Sequence, residues 1–277
     1  MTVTPLSTSV VLDPHRNVPG VRRQGFPDAL RAEWIKFWTV RSTLWSTAML
    51  FVLGAGLTAL VCATSAEWLA SGDADESAGS FVTWGMMFAQ ITAIVLGTLA
   101  VTSEYGTGMI RATLAATPRR GSVLAAKAVV LGGTLFVAGT LTAFAGYFAG
   151  NWYLENEGVG LALTDDGVLR AMFGSGLYLA GLGLFAAGVG LLVRHTAAAL
   201  SIVLALVFVV GNMVFLLPGA WGEWIGKVMP GNAGSEVAMP VSFNPNLLDP
   251  WVGFAVFAGE VAVLLLVAYG SFRRRDA

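Results

Sequence analysis

A short charged segment between two long apolar runs holds the residues best suited to bind a partner. It reads TSEYGTGMIRATLAATPRRGSVLAAKAVV over residues 102–130, and its charged members are Glu104, Arg111, Arg119, Arg120 and Lys127. Guanidinium and ammonium groups form strong charge-assisted hydrogen bonds with carboxylates and phosphates. Such a segment can dock on an acidic or polar surface, but a basic loop that only fixes membrane topology has the same composition.

Residues for catalysis or nucleotide binding do not occur in usable patterns. The sequence has no P-loop, in which Lys followed by Ser or Thr completes a phosphate-binding turn. With Cys62 as its single cysteine and His15 and His195 as its only histidines, it contains neither a cysteine-based zinc cluster nor a His-Glu-x-x-His motif. We therefore predict that the chain is not an enzyme and binds no cofactor or metal of its own.

The composition predicts the elements that must position these residues. Hydrophobic residues make up 56% of the chain and charged residues only 12%, whereas about a quarter of the residues of a soluble domain are charged. A helix needs roughly 20 apolar residues to cross a bilayer, and in lipid its backbone groups must bond within the segment. Six runs of that kind occur, at residues 44–64, 81–102, 122–150, 171–193, 197–217 and 250–270. The predicted fold is an all-α integral membrane protein with six transmembrane helices.

The distribution of charge predicts the orientation of this domain. With both termini in the cytosol, fourteen of the 16 Lys and Arg residues lie inside and only Arg170 and Lys227 lie outside, as the positive-inside rule requires. Eleven of the 17 acidic residues then lie outside. We predict a multi-pass protein of the cytoplasmic membrane, whose basic inner side attracts anionic lipid headgroups and not nucleic acid.

The region before the first run divides into a tail and an amphipathic segment. Residues 1–27 are rich in Pro and Gly and predict a flexible cytosolic tail, which leaves residues 28–277 as the membrane domain. The segment PDALRAEWIKFWTVRS places Leu30, Trp34, Phe37 and Trp38 at helical spacing. We expect a helix in the headgroup region with Asp28 as its N-cap, and with Lys36 and Arg41 free to extend toward the headgroups. A basic, aromatic anchor without further function fits the same pattern.

The connector between the second and third runs also predicts a short helix. Gly106 and Gly108 end the preceding helix, residues 109–116 are long enough for two turns, and Thr117-Pro118 is a suitable start for the next helix.

Two segments resemble the paired signatures of type 2 ABC exporter permeases. One is EWIKFWTVRST before the first run, and the other is TSEYGTGMIRATLAATPRR, followed by AAKA, before the third run. In that family an elbow helix precedes the first span, and a coupling helix after the second span docks on a separate cytosolic ATPase. The resemblance implies an elbow containing Glu33, Lys36, Arg41 and Ser42. It implies a coupling segment containing Glu104, Gly108, Arg111, Leu114, Pro118 and Arg119.

The resemblance also implies partners and a pathway. ATP and Mg would be bound by two ATPase subunits, and the permease would pair with a second copy of itself or with a similar permease. Because the second and fifth spans line the translocation cavity in that family, Gln90 and Asn212 become candidates for a polar pathway.

Two alternative functions remain open at this point. Glu260, near the middle of the last run, could couple transport to protons in a self-contained transporter, or could be a protonated or hydrogen-bonded carboxyl at a helix interface, which we prefer. A non-transporting membrane protein could recruit a cytosolic partner through the same connector. Outside the spans, Trp221 and Trp224 fit either a short helix returning into the outer leaflet or an aromatic belt.

Overall fold

The computed structural model describes residues 25–71, 74, 76–109, 120–216, 219–244 and 246–275. These residues form helices and turns, and none of them lies in a β-strand. In chain order the helices are α1 (Phe26–Thr39), α2 (Arg41–Ala70), α3 (Met86–Gly106), α4 (Arg120–Asn156), α5 (Val168–Val193), α6 (Thr196–Met213), α7 (Ala220–Val228), α8 (Pro230–Ser235) and α9 (Pro250–Arg275).

Six of these helices, α2 to α6 and α9, are long and apolar enough to cross a membrane. The chain is therefore a multi-pass membrane protein, and the prediction of six spanning helices is confirmed. Because the number of spans is even, α1 and the end of α9 lie at the same end of the bundle. We call this end the basic side and the opposite end the acidic side. The predicted tail, residues 1–27, lies almost wholly outside the described residues.

Helix α5 forms the centre of the bundle, with α3, α4 and α9 packed around it. Its glycines let neighbouring backbones approach closely, as expected for membrane helices. A Cβ atom on Gly97 of α3 would overlap the carbonyl oxygen of Gly183, and one on Gly139 of α4 would lie 3.0 Å from the Cα of Gly176. These glycines are thus located at helix contacts.

Helix α1 begins slightly earlier than predicted. Gly25 is the N-cap residue, Pro27 lies in the first turn, and the Asp28 carboxylate accepts a hydrogen bond of 2.9 Å from the Gly25 amide. Asp28 therefore occupies the third helical position, and its prediction as the N-cap was wrong. The reason is that Pro lacks an amide hydrogen and is best placed in the first turn, where none is needed.

On the acidic side, a folded segment covers the ends of α5, α6 and α9. Helix α8 and the following turn Glu236–Ala238 pack against α5 and α9. The Arg170 guanidinium of α5 holds this segment by donating to the carbonyl oxygens of Glu236, Met239 and Pro240 at 3.0, 3.1 and 3.2 Å. Trp221 and Trp224 of α7 remain largely exposed.

Cysteine labelling can test which side of the bundle faces the cytosol. Cys62 is buried, so the native background should be low. We expect cysteines at the exposed positions Ser77, Asp166 and Glu223 to react with an impermeant maleimide added to intact cells. Cysteines at the exposed positions Thr107 and Arg274 should react only after the membrane is opened. The reverse pattern would place the basic side outside.

Candidate functional sites: a buried charge cluster and a polar cavity

Four charged side chains from three helices meet on the basic side. Glu33 and Lys36 come from α1, Glu104 from the last turn of α3, and Lys127 from the second turn of α4. We call these four residues the charge cluster. Three of them are buried, and the Lys36 side chain is only 27% exposed.

Lys127 is the centre of this cluster. Its ammonium group donates to Glu33 Oε2 and Glu104 Oε1, both at 2.7 Å, and to the carbonyl oxygen of Ala100 at 3.0 Å. These bonds use all three of its hydrogens. Lys127 therefore joins the start of α4 to α1 and to α3.

Lys36 makes the second pair of bridges. Its ammonium group lies 2.7 Å from Glu33 Oε1 and 2.7 Å from Glu104 Oε1. Burial acts to lower the pKa of Lys36, but hydrogen bonds and Coulomb attraction to Glu104 and Glu33 outweigh it, and the pKa lies above its usual value. Lys36 is therefore charged at neutral pH, and the cluster places two lysines against two glutamates.

The orientation of α1 differs from the prediction. We expected Lys36 to extend freely toward the headgroups. Instead Lys36 and Glu33 face the bundle together with Phe37, and only Trp34 and Trp38 of the predicted apolar side are exposed. The reason is that α3 and α4 offer opposite charges, whereas lipid offers an apolar side chain an environment as favourable as a protein core.

The cluster fixes the geometry at both ends of the charged connector. The connector leaves α3 two residues after Glu104 and enters α4 at Arg120, seven residues before Lys127. Because α1 is bonded to both, a displacement of the connector's ends must also move α1 or break buried ion pairs. The arrangement can thus transmit movement among three helices.

The other predicted elbow and coupling residues are divided between described and undescribed parts of the chain. Arg41 and Ser42 are exposed at the start of α2, and Ser42 lines a groove beside the charge cluster. Gly108 has a left-handed backbone with φ of 70°, which glycine adopts without strain. Arg111, Leu114, Pro118 and Arg119, and with them the predicted short helix, lie outside the described residues.

A cavity of about 300 Å³ opens on the acidic side among α3, α5, α6 and the segment that follows α7. Gln90 and Asn212, the two predicted pathway residues, both line it. Gln90 is held in place from two directions: its amide nitrogen donates to the Met87 carbonyl at 2.9 Å, and its oxygen accepts a 2.6 Å hydrogen bond from the Tyr178 hydroxyl. The structure thus brings the two residues to one site.

Two asparagines add further polar groups to this cavity, which Ser80, Thr83 and Ser235 also line. Asn212 is exposed and donates to the Phe208 carbonyl within its own helix at 2.8 Å. Asn232 of α8 donates to the carbonyl oxygens of Gly211 and Gly226 at 3.0 and 2.9 Å. The Asn232 amide therefore fastens α8 to α6 and α7 and keeps the cavity wall closed on that side.

Comparison with known proteins does not identify a relative. No protein-family model matches the sequence, and a search of characterised proteins finds no match.

Sequence reasoning missed part of each site. It did not pair Lys127 with Glu33, although Glu33 and Glu104 are acidic residues on the basic side, and an acidic residue near a lipid boundary needs a partner. It also missed Tyr178 and Asn232, whose only signal is a polar group within an apolar stretch.

Glu260 lies in α9, which packs against α5, and its neighbours Phe257 and Val261 are buried. The carboxyl group is half-buried, and its Oε2 atom has no hydrogen-bond partner among the described residues. The described part of the chain thus provides no base or cation for Glu260.

We expect Glu260→Gln to keep function unchanged from pH 6 to pH 8. The amide has the shape of the protonated carboxyl and carries no charge, so a packing role would be preserved. If the chain is a transporter, as the resemblance implies, the measurement is transport by the variant in vesicles at each pH, with Glu67→Gln, at an exposed position of α2, as the control. Loss of transport in a correctly inserted Glu260→Gln protein would instead support a proton-coupling role.

Proposed function

We propose that this chain is the membrane-spanning subunit of an ABC exporter. It moves a substrate outward across the cytoplasmic membrane, with both termini in the cytosol, while a separate ATPase subunit binds ATP and Mg and hydrolyses the nucleotide. The functional unit contains two such ATPases and a second copy of this chain or a similar permease. This chain is a transport subunit and not an enzyme.

The charge cluster is the observation that carries this proposal. A subunit driven by another protein must convert a push on a connector into movement of its spanning helices. Lys127 at the start of α4 and Glu104 at the end of α3 lie 2.7 Å apart, and each is also bonded to α1. Breaking such pairs inside a protein is costly, so α1, α3 and α4 should move together.

Motifs of the chain support the same conclusion. The connector and the segment before α2 resemble the two signatures of type 2 ABC exporter permeases, in which the elbow and the coupling segment are defined by these positions. No P-loop occurs in the sequence, so energy from ATP would have to arrive through contact with another chain. Under this proposal α1 is the elbow helix.

Capture of the energy-supplying partner tests the proposal. The tagged chain, purified from its native membrane in mild detergent, should bring down a second protein that is labelled by azido-ATP and carries a P-loop. The complex should hydrolyse ATP with Mg, whereas the chain purified alone should not. Purification from native membranes without an ATP-binding protein, before and after chemical crosslinking, would contradict the proposal.

A self-contained proton-driven transporter is the second candidate, because Glu260 has a buried oxygen without a described partner. In that case a proton gradient across proteoliposomes of the purified chain would drive transport without ATP. Under the ABC proposal it would not.

A further inference from the structure

We propose that the cavity on the acidic side is a binding site for an uncharged, amphipathic small molecule with an aromatic or branched apolar body and one hydrogen-bonding group. The claim that this ligand is the exported molecule rests on the proposed function. The claim that it binds in the cavity does not.

The absence of charge from the described cavity wall predicts that the ligand is uncharged. The side chains that line the cavity are apolar or uncharged polar, and Asp, Glu, Lys, Arg and His do not occur among its described lining residues. Glu236 follows the lining residue Ser235 but is absent from the lining, and so is Arg170, which donates to the backbone carbonyls of Glu236 and Met239. A charged ligand would be desolvated without a counter-ion, which is strongly unfavourable.

The apolar part of the wall predicts that the ligand has an aromatic or branched apolar body. Met86, Met87 and Met239 line the cavity together with the flat rings of Trp84 and Phe208. Thioether side chains are flexible and make favourable contacts with aromatic rings, so they adapt to ligands of different outline. Aromatic rings of the wall stack well on planar or branched apolar groups.

The pair formed by Tyr178 and Gln90 predicts the hydrogen-bonding group of the ligand. Their 2.6 Å hydrogen bond and the Gln90 bond to Met87 hold both groups in position before a ligand arrives. The Gln90 amide nitrogen has a second hydrogen, and the Tyr178 oxygen has lone pairs that can accept. A hydroxyl or carbonyl of a ligand can therefore bond to this pair, while the volume of about 300 Å³ suits a small molecule.

Three naphthalene probes of similar size and different charge can test the site. The full chain in nanodiscs is dialysed to equilibrium against 1-naphthol, 1-naphthoate or 1-naphthylmethylammonium at pH 7, and uptake by empty nanodiscs is subtracted. We expect saturable binding of 1-naphthol and at least tenfold weaker binding of both ions. Equal affinity for either ion, or the absence of saturable binding for all three, would overturn the proposal.

Variants locate the binding within the cavity. Tyr178→Phe should weaken 1-naphthol binding about fivefold, as for the loss of one hydrogen bond, whereas Tyr153→Phe on α4, outside the cavity, should have no effect. Met87→Trp, at a position that is 48% exposed, should fill the cavity and remove saturable binding without disturbing the core. Unchanged binding in Met87→Trp, or equal effects of the two Tyr variants, would reject this site.

The experiment contains neither ATP nor an ATPase. Failure of 1-naphthol to bind would therefore reject the cavity ligand and leave the capture of an ATP-binding partner unaffected. Conversely, failure of that capture would leave the binding data intact.

Discussion

Glu104→Gln should destabilise the protein by about 3 kcal/mol, the cost measured when a buried ion pair loses one partner. Glu104 is 1% exposed, and its Oε1 atom accepts from both Lys36 and Lys127. The amide removes the negative charge, so Glu33 alone would have to balance two ammonium groups in a buried site. Unfolding of the purified protein by SDS titration from mild detergent, followed by protease resistance, would measure the change.

A second substitution should cost less stability in the Glu104→Gln variant than in the native chain. Glu104→Gln combined with Lys127→Gln removes one charge of each sign, so the double variant should lose clearly less than the two single variants added together. Glu67→Gln, an exposed carboxylate of α2, serves as the control and should change stability by less than about 0.5 kcal/mol. Strict additivity of the two cluster variants would show that the four charges do not act as one unit.

The helices of the bundle could be predicted because each one depends on a local property. A run of about 20 apolar residues is long enough to span the bilayer whatever its neighbours are, and all six runs correspond to spanning helices. The ends were less predictable. Residues 81–85 form turns before α3, and a short helix of the tighter 3₁₀ type, Val214–Leu216, follows α6.

The charge cluster could not be predicted because it depends on contacts between distant residues. Lys36 and Glu104 are 68 positions apart, and Glu33 and Lys127 are 94 positions apart. The apolar pattern of α1 shows that the helix has two different sides but does not show which side faces the protein. A helix in water buries its apolar side, whereas a helix in contact with lipid can expose that side and direct its charges inward.

The cavity was predictable only in part, because one of its polar residues lies in a short helix that depends on tertiary contacts. Gln90 and Asn212 lie in long helices, so their spans were identified and the resemblance implied a shared pathway. Asn232 lies in α8, whose sequence PGNAGS has low helical propensity. This helix is held by tertiary contacts, among them the Asn232 hydrogen bonds and the close packing of Gly234 against Phe257 and Tyr178.

If the proposed ATPase subunit docks on the connector, Arg111→Ala and Arg119→Ala in one chain should weaken its capture more than tenfold. Each lost charge-assisted hydrogen bond costs roughly 1.5–3 kcal/mol at an interface. Leu114→Asp should have a similar or larger effect, because it replaces an apolar residue of the predicted coupling segment by a charged one. Twelve of the fourteen basic residues assigned to the inner side remain in the double variant, so membrane insertion should be normal. Co-purification of the ATPase with each tagged variant is the measurement.

Variants of the charge cluster separate docking from transmission. Glu33 is 6% exposed and bonded to both lysines, so Glu33→Gln should leave the docking surface intact, and the ATPase should be captured as by the native chain. Transport driven by ATP in proteoliposomes should nevertheless fall, because α1 is no longer firmly bonded to α4. Arg274→Ala, an exposed basic residue on the same side, should affect neither measurement. Undiminished capture of the ATPase by the connector variants would refute docking at the connector. If transport were proportional to the amount of captured ATPase in every variant, Glu33→Gln included, transmission through the charge cluster would be refuted.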